Sequence, residues 1–166
     1  MDNTVLDALV EYPVKALHKI GTNRTIIGLL TNNPSIEVGS DDADSVFDKY
    51  LFDYGYVDGT TEEAAAFVCV EAEATRSSEA AMGMKLYVTV FCHKNFSKVD
   101  TKLFKGMIGN RRDNIVRYVN DVLAGSDGFG IGKLTFASVR TIPAPAGFSA
   151  RELTYIVPEF NVKAGE

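Results

Sequence analysis

The sequence contains no tryptophan, only two cysteines and only two histidines, and those scarcities exclude whole classes of chemistry. Cys69 and Cys92 have neither zinc nor redox spacing, and His18 and His93 stand apart from each other, so no metal site is expected. Cys92 and His93 cannot act as a side-by-side pair, because neighbours in a strand point to opposite faces. No catalytic residue and no cofactor are assigned, and the chain reads as a non-enzyme. The longest apolar runs fall far short of the ~20 residues a membrane span requires. The opening "MDNTVLDALVEYPV" carries Asp2 and Asp7 and no basic leader before an apolar core, which argues against a secretory signal. The expected setting is a reducing cytoplasm. There the triplets Asn23-Arg24-Thr25 and Asn95-Phe96-Ser97 are chance matches to glycan acceptors, and the cysteines are small buried hydrophobes. Their strands could still place the two thiols nearly opposite each other in one hairpin.

What is present describes one domain spanning residues 1–166. With 46% hydrophobic and 23% charged residues, a chain of 166 can bury roughly two thirds of its unfolded surface without staples. In "TVLDALVEYPVKALHKIG", Leu6, Leu9, Val10, Pro13, Leu17 and Ile20 recur at steps of three and four, the pattern of a helix with one buried stripe. Pro13 should kink or split it. Thr22 is positioned to cap a second helix bearing Ile26, Ile27, Leu29 and Leu30. From Ser35 to Glu63 the periodicity fades into an acidic arm or long loop. "AAFVCVEAEA" and "MKLYVTVFCH" alternate with period two and read as strands joined by residues 75–83. Asp113 can cap the helix "NIVRYVNDVLAG", closed by a left-handed Gly125, after which "KLTFASVRTI" and "ELTYIV" read as two more strands around "PAPAGFSA". This order predicts an α+β fold: a mainly antiparallel four-stranded sheet with helices packed on one face and the acidic arm at 35–63.

The glycine-rich stretch "LAGSDGFGIGKLTFASV" invites a phosphate-loop reading and fails it. The position five before Gly132 is Asp127, the residue after Lys133 is Leu134, and a dinucleotide pattern would need a third glycine at Lys133. The segment also leaves a helix and enters a strand, so a phosphate would meet the negative helix end. A turn with backbone freedom is expected. The acids of "GSDDADSVFDKY" fail as a calcium loop, with no glycine at the sixth position from Asp42 and Asp53 at the twelfth.

Charge layout carries more. Between Glu37 and Glu63 nine acids face the single Lys49, whereas between Lys85 and Arg117 eight bases face Asp100 and Asp113. Both patches could be solvated faces, or could meet within one subunit. Alternatively, the arm of one copy reaches the basic segment of the next, the head-to-tail geometry that closes into a ring. The contact would use Asp41, Asp42, Asp44, Phe47, Tyr50 and Tyr54 on one side and Lys98, Lys102, Lys105, Arg111 and Arg112 on the other. The arm's aromatics, which include Phe52 and Tyr56, would anchor that contact or cover the domain's own core. A separate reading makes segment 94–117 a nucleic-acid-binding module, with Lys94 added to those cations and with Phe96 and Phe104 as stacking groups.

The opening helices ending "TNRTIIGLLTNNP", the stretch "LFDYGYVDGTTEEAAAFVCVEAEA", the strand "KLYVTVFCHKN" and "RRDNIVRYVNDVLAGSDGFGIGKLTFASVRTI" followed by "GFSARELTYIVPEFN" carry a likeness of pattern over most of the chain. The chain resembles the small neck and tail-completion proteins of tailed phages, the group that includes tail terminators and head-to-tail joining proteins. That resemblance implies a structural virion protein made in the host cytoplasm. It implies a homo-oligomeric ring, a hexamer, meeting tail-tube and neck or connector proteins, with DNA passing through the lumen without specific binding and no membrane association. The loops around "TRSSEAAMG" and "PAPAGFSA" are the candidate tube contacts.

Overall fold

The computed structural model describes residues 5–55, 64–76, 82–130 and 132–160, of which 158–160 are described by backbone alone. Helices α1 (Val5–Gly21) and α2 (Arg24–Thr31) come first, followed by two single-turn helices, α3 (Asp41–Asp44) and α4 (Val46–Lys49), and strand β1 (Leu51–Phe52). Strands β2 (Ala66–Arg76) and β3 (Met82–His93), helix α5 (Arg111–Leu123), and strands β4 (Thr135–Ile142) and β5 (Phe148–Phe160) complete the order.

The sheet has five strands in the order β1-β2-β3-β5-β4 and is mixed, because β1 runs parallel to β2 while the other pairings are antiparallel. The expected four strands are present; the fifth comes from the acidic arm. Rather than an extended arm, residues 35–55 fold back through α3, α4 and β1 and bury Ile36, Ala43, Val46 and Leu51. Apolar side chains three to seven residues apart pull this segment onto the domain, leaving its acids outside. The part of the arm at 56–63, with Tyr56, Asp58, Glu62 and Glu63, lies outside the described residues, as does 77–81 of the β2–β3 loop.

Strand alternation sets the two faces. Val68 and Val70 of β2, Leu86, Val88 and Val90 of β3, and Leu153 and Tyr155 of β5 pack under α1, α2 and α5 in the main core. On the other face Phe67, Cys69, Phe91 and Ala150 form a smaller cluster, with the Phe67 and Phe91 rings stacked at 4.9 Å. Cys69 lies opposite Thr89 and Cys92 opposite Ala66, on different faces, so the hairpin does not bring the two thiols together. Both are free, and burial raises their pKa, to about 12 for Cys69, where Glu71 adds to the effect, and to about 11 for Cys92. Strand β5 begins at Phe148, so the last three residues of "PAPAGFSA" pair with β3 after all.

Several local expectations shift by a residue or a face. Helix α1 runs unbroken through Pro13. Its buried side is Ala8, Tyr12, Pro13, Ala16, Leu17 and Ile20, whereas Leu6 and Val10 are 72% and 71% exposed, so the helix has two apolar stripes and turns only one inward. The cap of α2 is Asn23, whose side chain accepts the Ile26 amide at 3.0 Å, while the Thr22 hydroxyl donates to the His18 carbonyl. The cap of α5 is Asn110, which accepts the Asp113 amide at 2.8 Å and donates back to the Asp113 carboxylate at 3.0 Å.

The glycine-rich stretch is a turn, and a purposeful one. Gly125 takes the left-handed conformation after α5, its amide donating to the Leu134 carbonyl, and the Leu134 amide returns to Ser126. Between these bonds Gly128 and Gly130, both at positive φ, let the chain fold Phe129 completely into the core, edge-on to Tyr12 at 5.5 Å. The Tyr12 hydroxyl accepts the Gly130 amide at 2.8 Å, which ties α1 to this loop.

Candidate subunit interface

Asp41, Asp42 and Asp44 stand exposed on α3, which Ser40 caps by accepting the Ala43 amide at 3.2 Å. Burial of Ala43 fixes which way that turn faces, so the acids point outward together. Phe47 and Tyr50 are half-buried against the core, Phe47 stacking on the His18 ring at 6.3 Å, and Tyr54 is 44% exposed beside Phe52. The arm's aromatics thus divide between covering the domain and facing outward.

The basic side divides more sharply. Lys98, Lys102 and Lys105 are exposed on the loop between the 3-10 turn Lys94–Phe96 and α5. Arg111 is only 2% exposed and is not available to a partner. Its guanidinium donates to the carbonyls of Leu29 at 2.6 Å, Phe96 at 2.8 Å and Lys98 at 3.0 Å and to the Asn32 side chain at 2.9 Å, and it lies 3.9 Å from the centre of the Phe96 ring. Four acceptors converge on one planar fork, so Arg111 fastens the lysine loop to the end of α2. Arg112 is half-buried and held by Asp113 at 2.9 Å, which Arg151 also grips at 2.6 Å. Burial pushes the Asp113 carboxyl up, but hydrogen bonds from Arg112, Arg151 and Asn110 prevail and hold it at about 2. The proposed stacking rings are engaged as well: Phe104 is buried, and Phe96 is covered by Arg111.

The structure therefore exposes both the arm acids and the loop lysines and does not join them. Among the described residues no ion pair links Asp41, Asp42 or Asp44 to Lys98, Lys102 or Lys105.

Two features were missed in the sequence. Leu103 and Ile108, 48% and 91% exposed, stand among the loop lysines. A groove of about 420 Å³ between α1 and the α4–β1 segment is lined by Val14, Leu17, His18, Phe47, Leu51 and Asp53. The signal for the groove was the second stripe of α1, Leu6, Val10 and Val14 at steps of four, which leads into it.

The uncovered sheet face holds a further hollow, of about 710 Å³, that is net acidic: Arg140 meets Glu152 at 2.8 Å and Glu71 accepts the Gly55 amide at 2.7 Å, while no cation in its lining offsets Glu71 and Glu73. Among the described residues no three His, Cys, Asp or Glu side chains are grouped to hold a metal ion, and no helix is long and apolar enough to cross a membrane.

A family model matches residues 23–157, from the cap of α2 into β5. The chain belongs to the YomW family. This is a phage-derived, SPBeta prophage-like family. The YomW span takes in the acidic arm, the lysine loop and the Phe47–Leu51 wall of the groove, while the α1 wall precedes it. No curated protein has significant sequence similarity to the chain.

Proposed function

We propose that this YomW-family chain is a structural virion protein that assembles, copy against copy, into a ring at the head–tail junction or at the end of the tail tube. The supporting observation is the pair of exposed, oppositely charged surfaces that form no ion pair within the subunit among the described residues. Surfaces that differ from each other but complement each other make a heterologous contact, and a heterologous contact that closes makes a ring. The phage-derived family fits a virion role. A hexamer is the proposed stoichiometry, with tail-tube and neck or connector proteins as partners. The net charge of −5 suits a lumen through which DNA slides without specific binding.

Sedimentation at low and moderate salt, together with immunodetection in purified particles, tests this reading. A mass near six subunits or a multiple of it, or incorporation into particles, is expected. A protein that stays monomeric at every concentration and is absent from particles removes it.

A further inference from the structure

The lysine loop and the α1 groove are opposite in charge, and each exposes apolar side chains. The loop is stiff for its length. Asp100 caps it by accepting the Lys102 amide at 2.8 Å, Phe104 pins it into the core, and Arg111 holds the Phe96 and Lys98 carbonyls at its root. It exposes two large apolar side chains, Ile108 at 91% and Leu103 at 48%, together with Lys98, Lys102 and Lys105. A large aliphatic side chain held almost wholly in water costs free energy that a covering partner would recover.

The groove is the converse. Its lining is mainly Val14, Leu17, Phe47 and Leu51, and the exposed stripe Leu6–Val10–Val14 extends it along α1. Asp53 lies in its wall, and Asp44, Asp48 and Lys49 stand exposed on the adjoining short helices, so that side of its rim carries a net negative charge. Loop and groove share no residue and belong to different elements.

From this we infer that the 98–108 loop of one copy seats Ile108 and Leu103 in the α1–α4 groove of the next, with its lysines meeting the arm's aspartates around the seated side chains. This rests on the ring reading above and names the contact that builds the ring. The exposed apolar side chains supply the buried centre and the charges supply the rim, the usual division of labour in an interface. Because Arg111 and Phe104 already order the loop, little conformational entropy is lost on docking.

The test uses exposed positions, whose replacement leaves the fold intact. Ile108→Asp in the loop and Val14→Asp in the groove should each weaken association at least tenfold in sedimentation, with an unchanged far-ultraviolet circular dichroism spectrum. Ile108→Cys and Val14→Cys placed in separate chains, mixed and oxidised in solution or in assembled particles, should give a disulfide-linked pair, while neither alone does so. The native thiols are buried and will not compete. If wild-type protein forms rings, both aspartate variants form the same rings and no cross-link appears, this contact is overturned and the ring reading stands. If wild-type protein neither associates nor enters particles, the ring reading falls and this contact falls with it.

Discussion

Replacing Arg111 by methionine would measure how firmly the lysine loop is held. The change removes four hydrogen bonds and a ring contact while keeping much of the apolar volume. The Leu29 carbonyl sits in the buried bond and loses its partner outright, at about 1–3 kcal/mol. The three part-buried acceptors can turn to water, so their loss adds about 0.5 kcal/mol each, and the lost contact with Phe96 about 1 kcal/mol. Against this, methionine carries no charge to desolvate at a site that is only 2% exposed, which returns about 1–2 kcal/mol. The net loss is about 3 kcal/mol, a large part of the ~5–15 kcal/mol typical of a domain. With a urea slope near ~2 kcal/mol/M, the unfolding midpoint should fall by roughly 1.5 M. Because the chain has no tryptophan, far-ultraviolet circular dichroism is the natural probe. Arg111→Lys should recover less than half of the loss, since one ammonium cannot reach four acceptors spread around a plane. In the native state, trypsin should cut both variants faster at Lys98, Lys102 and Lys105. A midpoint shift below roughly 0.5 M for methionine, or a lysine variant as stable as the parent, would refute the claim that the fork fastens the loop.

Three further outcomes follow from the same structure. Asp113 has its folded pKa depressed to about 2, so its contribution is present above the ordinary carboxylate pKa near pH 4 and is lost as pH falls toward 2. Its side chain is 39% exposed, so after solvent screening Asp113→Asn should cost about 1 kcal/mol at pH 7 and flatten the stability profile between pH 4 and 2, read from urea unfolding at each pH. Phe129→Ala should cost about 3–5 kcal/mol by opening a cavity beside Tyr12, whereas Gly128→Ala meets no neighbouring atom and should cost only about 1 kcal/mol, from its left-handed backbone; equal losses in thermal melts would contradict this. Neither Cys69 nor Cys92 should react with a thiol reagent at pH 8 until the protein is unfolded, and rapid labelling of the native form would contradict the burial that raises their pKa.

The long elements were legible because each bears a clean period: alternation over β2 and β3, and three-four spacing with a terminal glycine over α5. Helix α1 was legible as a helix but not in its orientation. Two apolar stripes satisfy the same spacing, and the one turned inward carries Ala8 and Ala16, small enough for close packing, and Tyr12, which meets Phe129 and the Gly130 amide. Strand β1 is two residues long, too short for any period, and exists through its parallel pairing with β2. The acids and lysines of the candidate interface could be read directly, because exposed charge needs no tertiary context. Arg111 could not: beside Arg112 it looks like more basic surface, and only the approach of the α2 carbonyl end turns it inward. The groove escaped for the same reason, being made from segments some thirty residues apart.

Helix α1 precedes the YomW span, yet it roofs the β2 side of the main core and its Tyr12 holds the glycine-rich turn in place. A polypeptide trimmed to begin at residue 23 would strip Val68 and Val70 of their cover and leave Phe129 beside a void. The unit that must be kept whole in any excision, fusion or domain graft is thus larger than the stretch by which kinship is recognised.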